Sequence, residues 1–256
     1  MKKSVPTKKA FRFFILILGA GICAAIAWGI WIQYPGGFPA PEKGRCDDPK
    51  SVILDVPCIN QRERYPTGCE SVSAVMALQY WGVDITVEEF IDNHLAMGAA
   101  PTAGKNGERT GCSPWNAFPG NPYSKSGYGC YAPVIVNAVN DLKDRRKLDV
   151  QAHYGKPIET LCRDYIDKGI PVIFWATLDM QPARTGNSWT DDASGKQIQW
   201  VAPMHCLLLI GYDDACYYFN DPWQQKAQAY PKAAVKTAYE SIFAQAVVIQ
   251  PAAKSK

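Results

Sequence analysis

The spacing of apolar residues predicts helices mainly in the first half of the chain. Helical spacing occurs in four segments, residues 69–81, a segment after Thr86, residues 133–142 and residues 158–166. Gly68 precedes the first segment, and Thr86 forms a capping box with Glu89 at the start of the second. The first of these helices is predicted to have its apolar residues on one side.

Short apolar runs predict strands, and most of them lie in the second half of the chain. These runs are residues 52–56, 171–178, 204–212, 215–220 and 246–250. The two runs on either side of Asp213-Asp214 have the pattern of a β-hairpin. The predicted fold class is α+β, with a helical first half packed on an antiparallel sheet from the second half. Residues 98–131 are rich in Gly, Pro, Ser and Asn and predict a long functional loop.

The N-terminal segment has the length and composition of a single transmembrane helix. Residues 13–33 contain no charged side chain, and about 20 apolar residues span a bilayer. Five basic residues precede this run: Lys2, Lys3, Lys8, Lys9 and Arg12. Basic flanks stay in the cytoplasm, so the rest of the chain is expected outside it. A cleaved signal peptide ending near residues 25–27 is the alternative, and it also exports the domain.

These patterns divide the chain into five segments. They are a cytoplasmic basic segment (1–12), a transmembrane signal-anchor helix (13–33), a Pro/Gly-rich linker (34–50), a folded domain (51–251) and a tail (252–256). The chain has 256 residues, of which 47% are hydrophobic and 20% charged, as in globular proteins. Beyond residue 12, acidic residues outnumber basic ones. This charge balance argues against a nucleic-acid-binding surface.

Eight cysteines follow the predicted membrane helix: Cys46, Cys58, Cys69, Cys112, Cys130, Cys162, Cys206 and Cys216. Outside the cytoplasm some of them can form disulfides, whose connectivity the sequence does not define. No pair has C-x-x-C spacing, and the chain has three histidines, so no structural zinc site is expected.

Cys69 is the candidate nucleophile because it falls at the first turn of a predicted helix. The partial positive charge of a helix N-terminus favours thiolate over thiol, which predicts a lowered pKa. Glu70 is predicted to be a first-turn acid that complements the same dipole. A nucleophilic thiolate needs a base, and His205, at the start of a predicted strand, is the best candidate. His94 and His153 are the alternatives.

Asp221 is the candidate group that orients this base. Folding the hairpin about Asp213-Asp214 brings residue 221 beside residue 205, where a carboxylate can accept the imidazole N–H. Asn220 and Asp213 are the alternatives for this role.

Gln61 is the candidate oxyanion donor, eight residues before Cys69. Its side-chain amide and the backbone N–H of Cys69 together would make an oxyanion hole. Asn60 is the alternative donor.

The chain also resembles the C39-like cysteine peptidase family over about residues 52–250. The resemblance rests on ordered segments that include NQRERYPTGCESVSAVMALQYWGV, GIPVIFWATLDM, MHCLLLIGYDD and YYFNDPW. It implies a papain-like fold with a Cys nucleophile, a His base, an Asp that orients the base and a Gln in the oxyanion hole. These roles correspond to Cys69, His205, Asp221 and Gln61. The best-known members cut leader peptides after a double glycine as parts of exporters, and that substrate is not transferred to this chain.

The expected function is therefore a membrane-anchored, extracytoplasmic cysteine peptidase that hydrolyses peptide bonds without a metal or organic cofactor. Its expected partners are a peptide or protein substrate and, through the N-terminal helix, the membrane, but no nucleic acid. One alternative is a papain-like amidase that acts on cell-wall peptides. The other is a catalytically inactive, anchored binding domain, which predicts that Cys69 is locked in a disulfide.

Overall fold

The computed structural model describes residues 51–142 and 148–252. The predicted basic segment, membrane helix and linker (1–12, 13–33 and 34–50) lie outside these residues, as do residues 253–256 of the tail. Across the two described ranges, no helix combines the length and the apolar composition that crossing a membrane requires.

Five α-helices and thirteen strands form the described part of the chain. The helices are α1 (Cys69–Tyr80), α2 (Val87–Asn93), α3 (Ala132–Asp141), α4 (Ile158–Asp164) and α5 (Lys232–Ser241). The strands are β1 (Val52–Ile53), β2 (Met97–Gly98), β3 (Thr102–Ala103), β4 (Arg109–Gly111), β5 (Phe118–Pro119), β6 (Leu148–Tyr154), β7 (Val172–Thr177), β8 (Arg184–Asp191), β9 (Gln197–Ala202), β10 (Met204–Tyr212), β11 (Cys216–Asn220), β12 (Gln228–Pro231) and β13 (Gln245–Pro251).

The main sheet has seven antiparallel strands. Its order is β12-β11-β10-β7-β13-β6, and β1 pairs with β10 in addition. Ile173 of β7 lies opposite Leu208 of β10 on one side and Val247 of β13 on the other, which places β7 at the centre. A smaller sheet, in the order β3-β4-β8-β9, joins the loop after α2 to the hairpin before β10.

Both faces of the main sheet are covered, which explains why its central strands are uniformly apolar. Successive side chains of a strand point to opposite faces. Cys206 and Leu208 belong to the core formed with α1 and α3. Leu207 and Leu209 belong to the core formed with α4 and α5. The expected α+β class is thus confirmed as a mixed fold with an antiparallel sheet, but the second half also supplies helices that cover one face.

Helix α1 is the central helix of the fold rather than a surface helix. The sequence places Val72, Val75 and Met76 on one side of this helix, but all residues from Cys69 to Leu78 are buried, so the core surrounds it on every side. The helix packs between the sheet and the segment that leads into α3, and its N-terminus is therefore shielded from water.

The other predicted helices and strands are present with small changes in their bounds. Thr86 caps α2, since its hydroxyl accepts the Glu89 N–H at 3.1 Å. Gly169 adopts a left-handed conformation after the turn that follows α4, as its predicted role as a helix end requires. The apolar runs 171–178, 204–212, 215–220 and 246–250 correspond to strands β7, β10, β11 and β13.

Gly129, in the long loop before α3, lies where a side chain has no room. Its φ is +138°, and a Cβ atom there would meet the Met204 side chain and approach Glu70 Oε1 to 2.6 Å. The loop backbone therefore lies directly on the start of α1.

We expect Gly129→Ala to destabilise the protein by about 2 kcal/mol or more, because a clash adds to backbone strain. Gly155→Ala is the matched control, since Gly155 also has a positive φ (+65°) but no atom within 4 Å of the added Cβ. Urea denaturation of both variants measures the difference. Equal losses of stability in the two variants would show that the clash with Glu70 and Met204 does not destabilise the protein.

Candidate active site

Cys69 is the first residue of α1, and the turn before it is fixed by the long loop. Thr67 donates its hydroxyl to the Ser124 carbonyl at 2.9 Å. A Cβ atom at Gly68 would lie 3.0 Å from Cβ of Tyr65 and 3.3 Å from Cβ of Pro122, so a glycine fits this close approach. The predicted position of Cys69 at a helix start is thus confirmed.

The Cys69 sulfur lies between a carboxylate and the backbone of β10. Its Sγ is 3.3 Å from Glu70 Oε2, and the backbone N–H of Cys206 is directed at it. Burial raises the pKa of the Cys69 thiol well above its ordinary value, and the negative charge of Glu70 raises it further. The prediction that the helix N-terminus lowers this pKa is therefore wrong for this arrangement, because desolvation and the adjacent carboxylate outweigh the dipole.

His205 and Asp221 form a buried hydrogen-bonded pair, as the hairpin pattern predicts. His205 Nε2 lies 2.8 Å from Asp221 Oδ1, and both side chains are at most 3% exposed. Trp223 N–H also donates to Oδ1 at 2.8 Å, and Tyr230 donates its hydroxyl to Oδ2 at 2.6 Å. Burial opposes ionisation of Asp221, but His205 and these donors together keep its pKa below the ordinary value.

The structure places Cys69 beside the His205–Asp221 pair without joining it to them. Within the described residues, the thiol's side-chain hydrogen bond goes to Glu70, and the His205 ring bonds Asp221. Since Asp221 occupies Nε2, the ring nitrogen that remains for a thiol proton is Nδ1. The sulfur already contacts the backbone of Cys206, the residue next to His205 on β10.

Gln61 lies in a turn that is tied to the segment after Asp221. Its backbone N–H donates to the Pro222 carbonyl at 3.0 Å, and its side-chain Nε2 donates to the Pro66 carbonyl at 3.3 Å. Gln61 is 2% exposed, and its buried Oε1 has no hydrogen-bond partner among the described residues. One of its two amide hydrogens remains for another acceptor.

The alternative histidines both have structural partners elsewhere. His94 Nδ1 lies 3.0 Å from Asp141 Oδ2, and His153 Nε2 lies 2.7 Å from the Tyr165 hydroxyl.

The alternative orienting and oxyanion residues also have local structural roles. Asn220 donates its amide to the Val56 and Pro57 carbonyls, each at 3.0 Å. Asp213 accepts backbone N–H groups in the β10–β11 turn. The Asn60 side chain accepts the Arg62 N–H at 2.9 Å.

Three residues at the site were not assigned to it from the sequence. Tyr230 bonds Asp221 from strand β12, a strand that no pattern predicted. Arg62 binds the Trp223 carbonyl and stacks 5.4 Å over the Trp223 ring, which links the Gln61 turn to the Asp221 turn. Glu70 is in the first turn of α1, as predicted, but its complete burial was not foreseen. The signal that marks it is its position directly after the candidate nucleophile.

The described cysteines are all unpaired: Cys58, Cys69, Cys112, Cys130, Cys162, Cys206 and Cys216. Cys46 lies outside the described residues. Among the described residues, Cys69 therefore forms no disulfide. No cluster of three or more His, Cys, Asp or Glu side chains suited to a metal ion occurs within residues 51–142 and 148–252.

Burial of Glu70 gives a prediction for stability as a function of pH. Burial raises its pKa from 4.5 to about 7, so the folded protein holds this proton over a range in which the unfolded chain has lost it. The stabilisation that follows is complete below pH 4.5 and is lost as pH rises through 7. Between pH 5 and pH 8, wild type should lose about 2 kcal/mol more stability than Glu70→Gln. The control variant Glu89→Gln, at an exposed position, should show the same change of stability with pH as wild type. Urea denaturation midpoints at pH 5 and pH 8 measure this change. Parallel slopes in all three proteins would contradict this prediction.

This chain is similar to a family model, to a curated protein and to solved structures. The Peptidase_C39 like family model matches residues 53–247. The uncharacterized protein YvpB of Bacillus subtilis (strain 168) is 27% identical over 199 residues, covering 77% of this chain and 75% of that protein. A crystal structure of a C39-like peptidase from Bacillus anthracis has a TM-score of 0.68 and 26% identity, covering 80% of this chain and 99% of that one.

A double glycine motif protease from an AMS/PCAT transporter, solved in complex with the leader peptide, is more distant. It covers 78% of this chain and 94% of its own at 14% identity and a TM-score of 0.43, which is too low to bear on the substrate. The family match extends over most of the chain and includes the helix that starts at Cys69 and the hairpin that carries His205 and Asp221. This protein belongs to the Peptidase_C39 like family.

Proposed function

We propose that this protein is a cysteine peptidase in which Cys69 is the nucleophile, His205 the base and Asp221 the group that orients the base. Membership of the family and the likeness to a C39-like peptidase structure support a peptidase. The observation that carries the assignment of residues is the buried 2.8 Å contact between His205 Nε2 and Asp221 Oδ1, beside the helix that begins with Cys69. This contact fixes the ring so that Nδ1 is the nitrogen that accepts a proton.

The proposed reaction starts when the Cys69 thiol turns from Glu70 towards His205. Nδ1 takes the thiol proton, and the thiolate adds to the carbonyl carbon of a peptide bond while the carbonyl π electrons move to oxygen. The Cys69 backbone N–H and the free amide hydrogen of Gln61 donate to this oxyanion. Collapse breaks the C–N bond, and the His205 imidazolium protonates the leaving amine. Water activated by His205 then hydrolyses the thioester, releasing the carboxylate and restoring the thiol.

The location of the domain is part of the same proposal. The uncharged run 13–33 and the basic residues before it support a signal anchor with the peptidase domain outside the cytoplasm. The Pro/Gly-rich segment 34–50 then serves as the spacer between the membrane and the domain. This arrangement predicts that external protease removes the domain from intact cells.

Replacing Cys69 or His205 by Ala should abolish peptide hydrolysis, with a loss of at least about 10³-fold in kcat. Cys216→Ala is the matched control, because Cys216 is another unpaired thiol but lies on β11, outside the proposed centre. Mass spectrometry of a peptide library and of purified cell-wall peptides measures turnover and separates a peptidase from the amidase alternative. Full turnover by Cys69→Ala would refute the proposed nucleophile.

Tyr230→Phe should lower kcat about tenfold with little change in KM, because Asp221 loses a hydrogen bond while substrate contacts remain. Tyr217→Phe is the matched control, since the Tyr217 hydroxyl also donates to a carboxylate, Glu159 Oε1 at 3.1 Å, away from His205. Steady-state kinetics of both variants tests the role. Equal kcat in both would mean that Tyr230 contributes only to stability.

A further inference from the structure

Glu70 occupies a niche built around its carboxylate. Its Oε1 accepts the Cys130 backbone N–H at 2.6 Å, and its Oε2 lies 3.3 Å from Cys69 Sγ. Gly129 packs against Oε1 with no space for a Cβ atom. The side chain is 0% exposed. Both oxygens are thus fixed, one by the backbone before α3 and the other by the thiol.

The cost of burying this carboxylate indicates that it does more than fill space. An isolated buried carboxylate is strongly destabilising, and a neutral Gln would satisfy the same N–H group at lower cost. The titratable groups that face it are Cys69 on its own helix, Cys130 and Tyr131 before α3, and His205 and Cys206 on β10. Of these groups only His205 can supply a positive charge.

A carboxylate next to a thiol favours the protonated sulfur, since it accepts the S–H and repels a thiolate. In the structure this contact replaces the contact between Cys69 and His205 that hydrolysis needs. The nucleophile is therefore held as a thiol whose hydrogen bond goes to Glu70.

We propose that Glu70 is a positioning residue that restrains the nucleophile, holding Cys69 as a neutral thiol hydrogen-bonded to Glu70 until substrate enters. This inference rests on the proposed function. Release breaks the Sγ–H···Oε2 hydrogen bond, and the thiol proton then passes from sulfur to Nδ1 of His205. The restraint keeps a peptidase with an unpaired nucleophile unreactive towards oxidants and electrophiles when no substrate is bound.

The test is the pH profile of Cys69 alkylation by iodoacetamide in the full-length protein, followed at each cysteine by mass spectrometry. Wild type should show a Cys69 midpoint above the ordinary thiol pKa of about 8.5. Glu70→Gln should lower this midpoint by about one pH unit. The Gln oxygen can still accept the hydrogen bond from the Cys130 N–H, while the Gln amide N–H faces the sulfur. At pH 7 the thiolate population then rises about tenfold, and the alkylation rate about threefold after the lower nucleophilicity is included.

Glu89→Gln is the matched control, since it removes the same charge from an exposed position near the start of α2, and its midpoint should equal that of wild type. An unchanged midpoint in a folded Glu70→Gln protein would overturn the proposal. If that variant does not fold, wild type still decides, because a Cys69 midpoint at or below the ordinary thiol pKa of about 8.5 shows a thiolate that Glu70 does not suppress.

Peptide hydrolysis measured on the same samples separates this inference from the proposed function. A shifted midpoint in a protein that cleaves no peptide supports the restraint and counts against the peptidase. An active wild-type enzyme whose midpoint does not respond to Glu70→Gln overturns the restraint alone.

Discussion

The start of helix α1 is anchored to the start of strand β10, and the chemistry of the site depends on this contact. Ser73 donates its hydroxyl to the Cys206 carbonyl at 3.3 Å, and the Cys206 N–H is directed at the Cys69 sulfur. Both contacts use the backbone of residue 206, so they hold the sulfur next to residue 205. The helix carries the proposed nucleophile and the strand carries the proposed base, and the core between them fixes their separation. The same burial removes water from the sulfur. The neighbouring charges therefore have a strong effect on whether the sulfur is protonated.

Two carboxylates act on this centre in opposite ways. Asp221 accepts hydrogen bonds from His205, Trp223 and Tyr230, and these donors stabilise its charge and fix the imidazole. Glu70 has one backbone donor and the thiol, and burial raises its pKa to about 7. In the proposed mechanism the first carboxylate orients the base, whereas the second holds the nucleophile in its protonated form. A site with both is at rest without substrate, and it has the groups for hydrolysis once the thiol turns.

Much of the fold follows from the local pattern of apolar and polar residues. Other elements could not be predicted from that pattern. The central strands are continuous apolar runs, and the capping box at Thr86 predicts the start of α2. Strand β6 is an edge strand with half-exposed side chains, so its pattern is weak. Helix α5 buries Val235, Ala238 and Tyr239 at helical spacing, but it is polar overall. In the hairpin of β8 and β9 only Trp189, Asp191 and Trp200 are buried, and its strands pair with each other and with β4. Among the site residues, Cys69, His205 and Asp221 were placed by a helix start and a hairpin. The burial of Glu70 was not predictable, because it depends on the distant Gly129–Cys130 backbone.

The most direct test of this account is a crystal structure of the protein with a peptide aldehyde, which adds reversibly to a catalytic thiol. The account predicts a covalent hemithioacetal on Cys69, with the sulfur turned from Glu70 to within about 4 Å of His205 Nδ1 and the new oxygen facing Gln61. It is contradicted if the aldehyde is found on another cysteine, or if Cys69 carries the adduct while His205 remains out of reach of it.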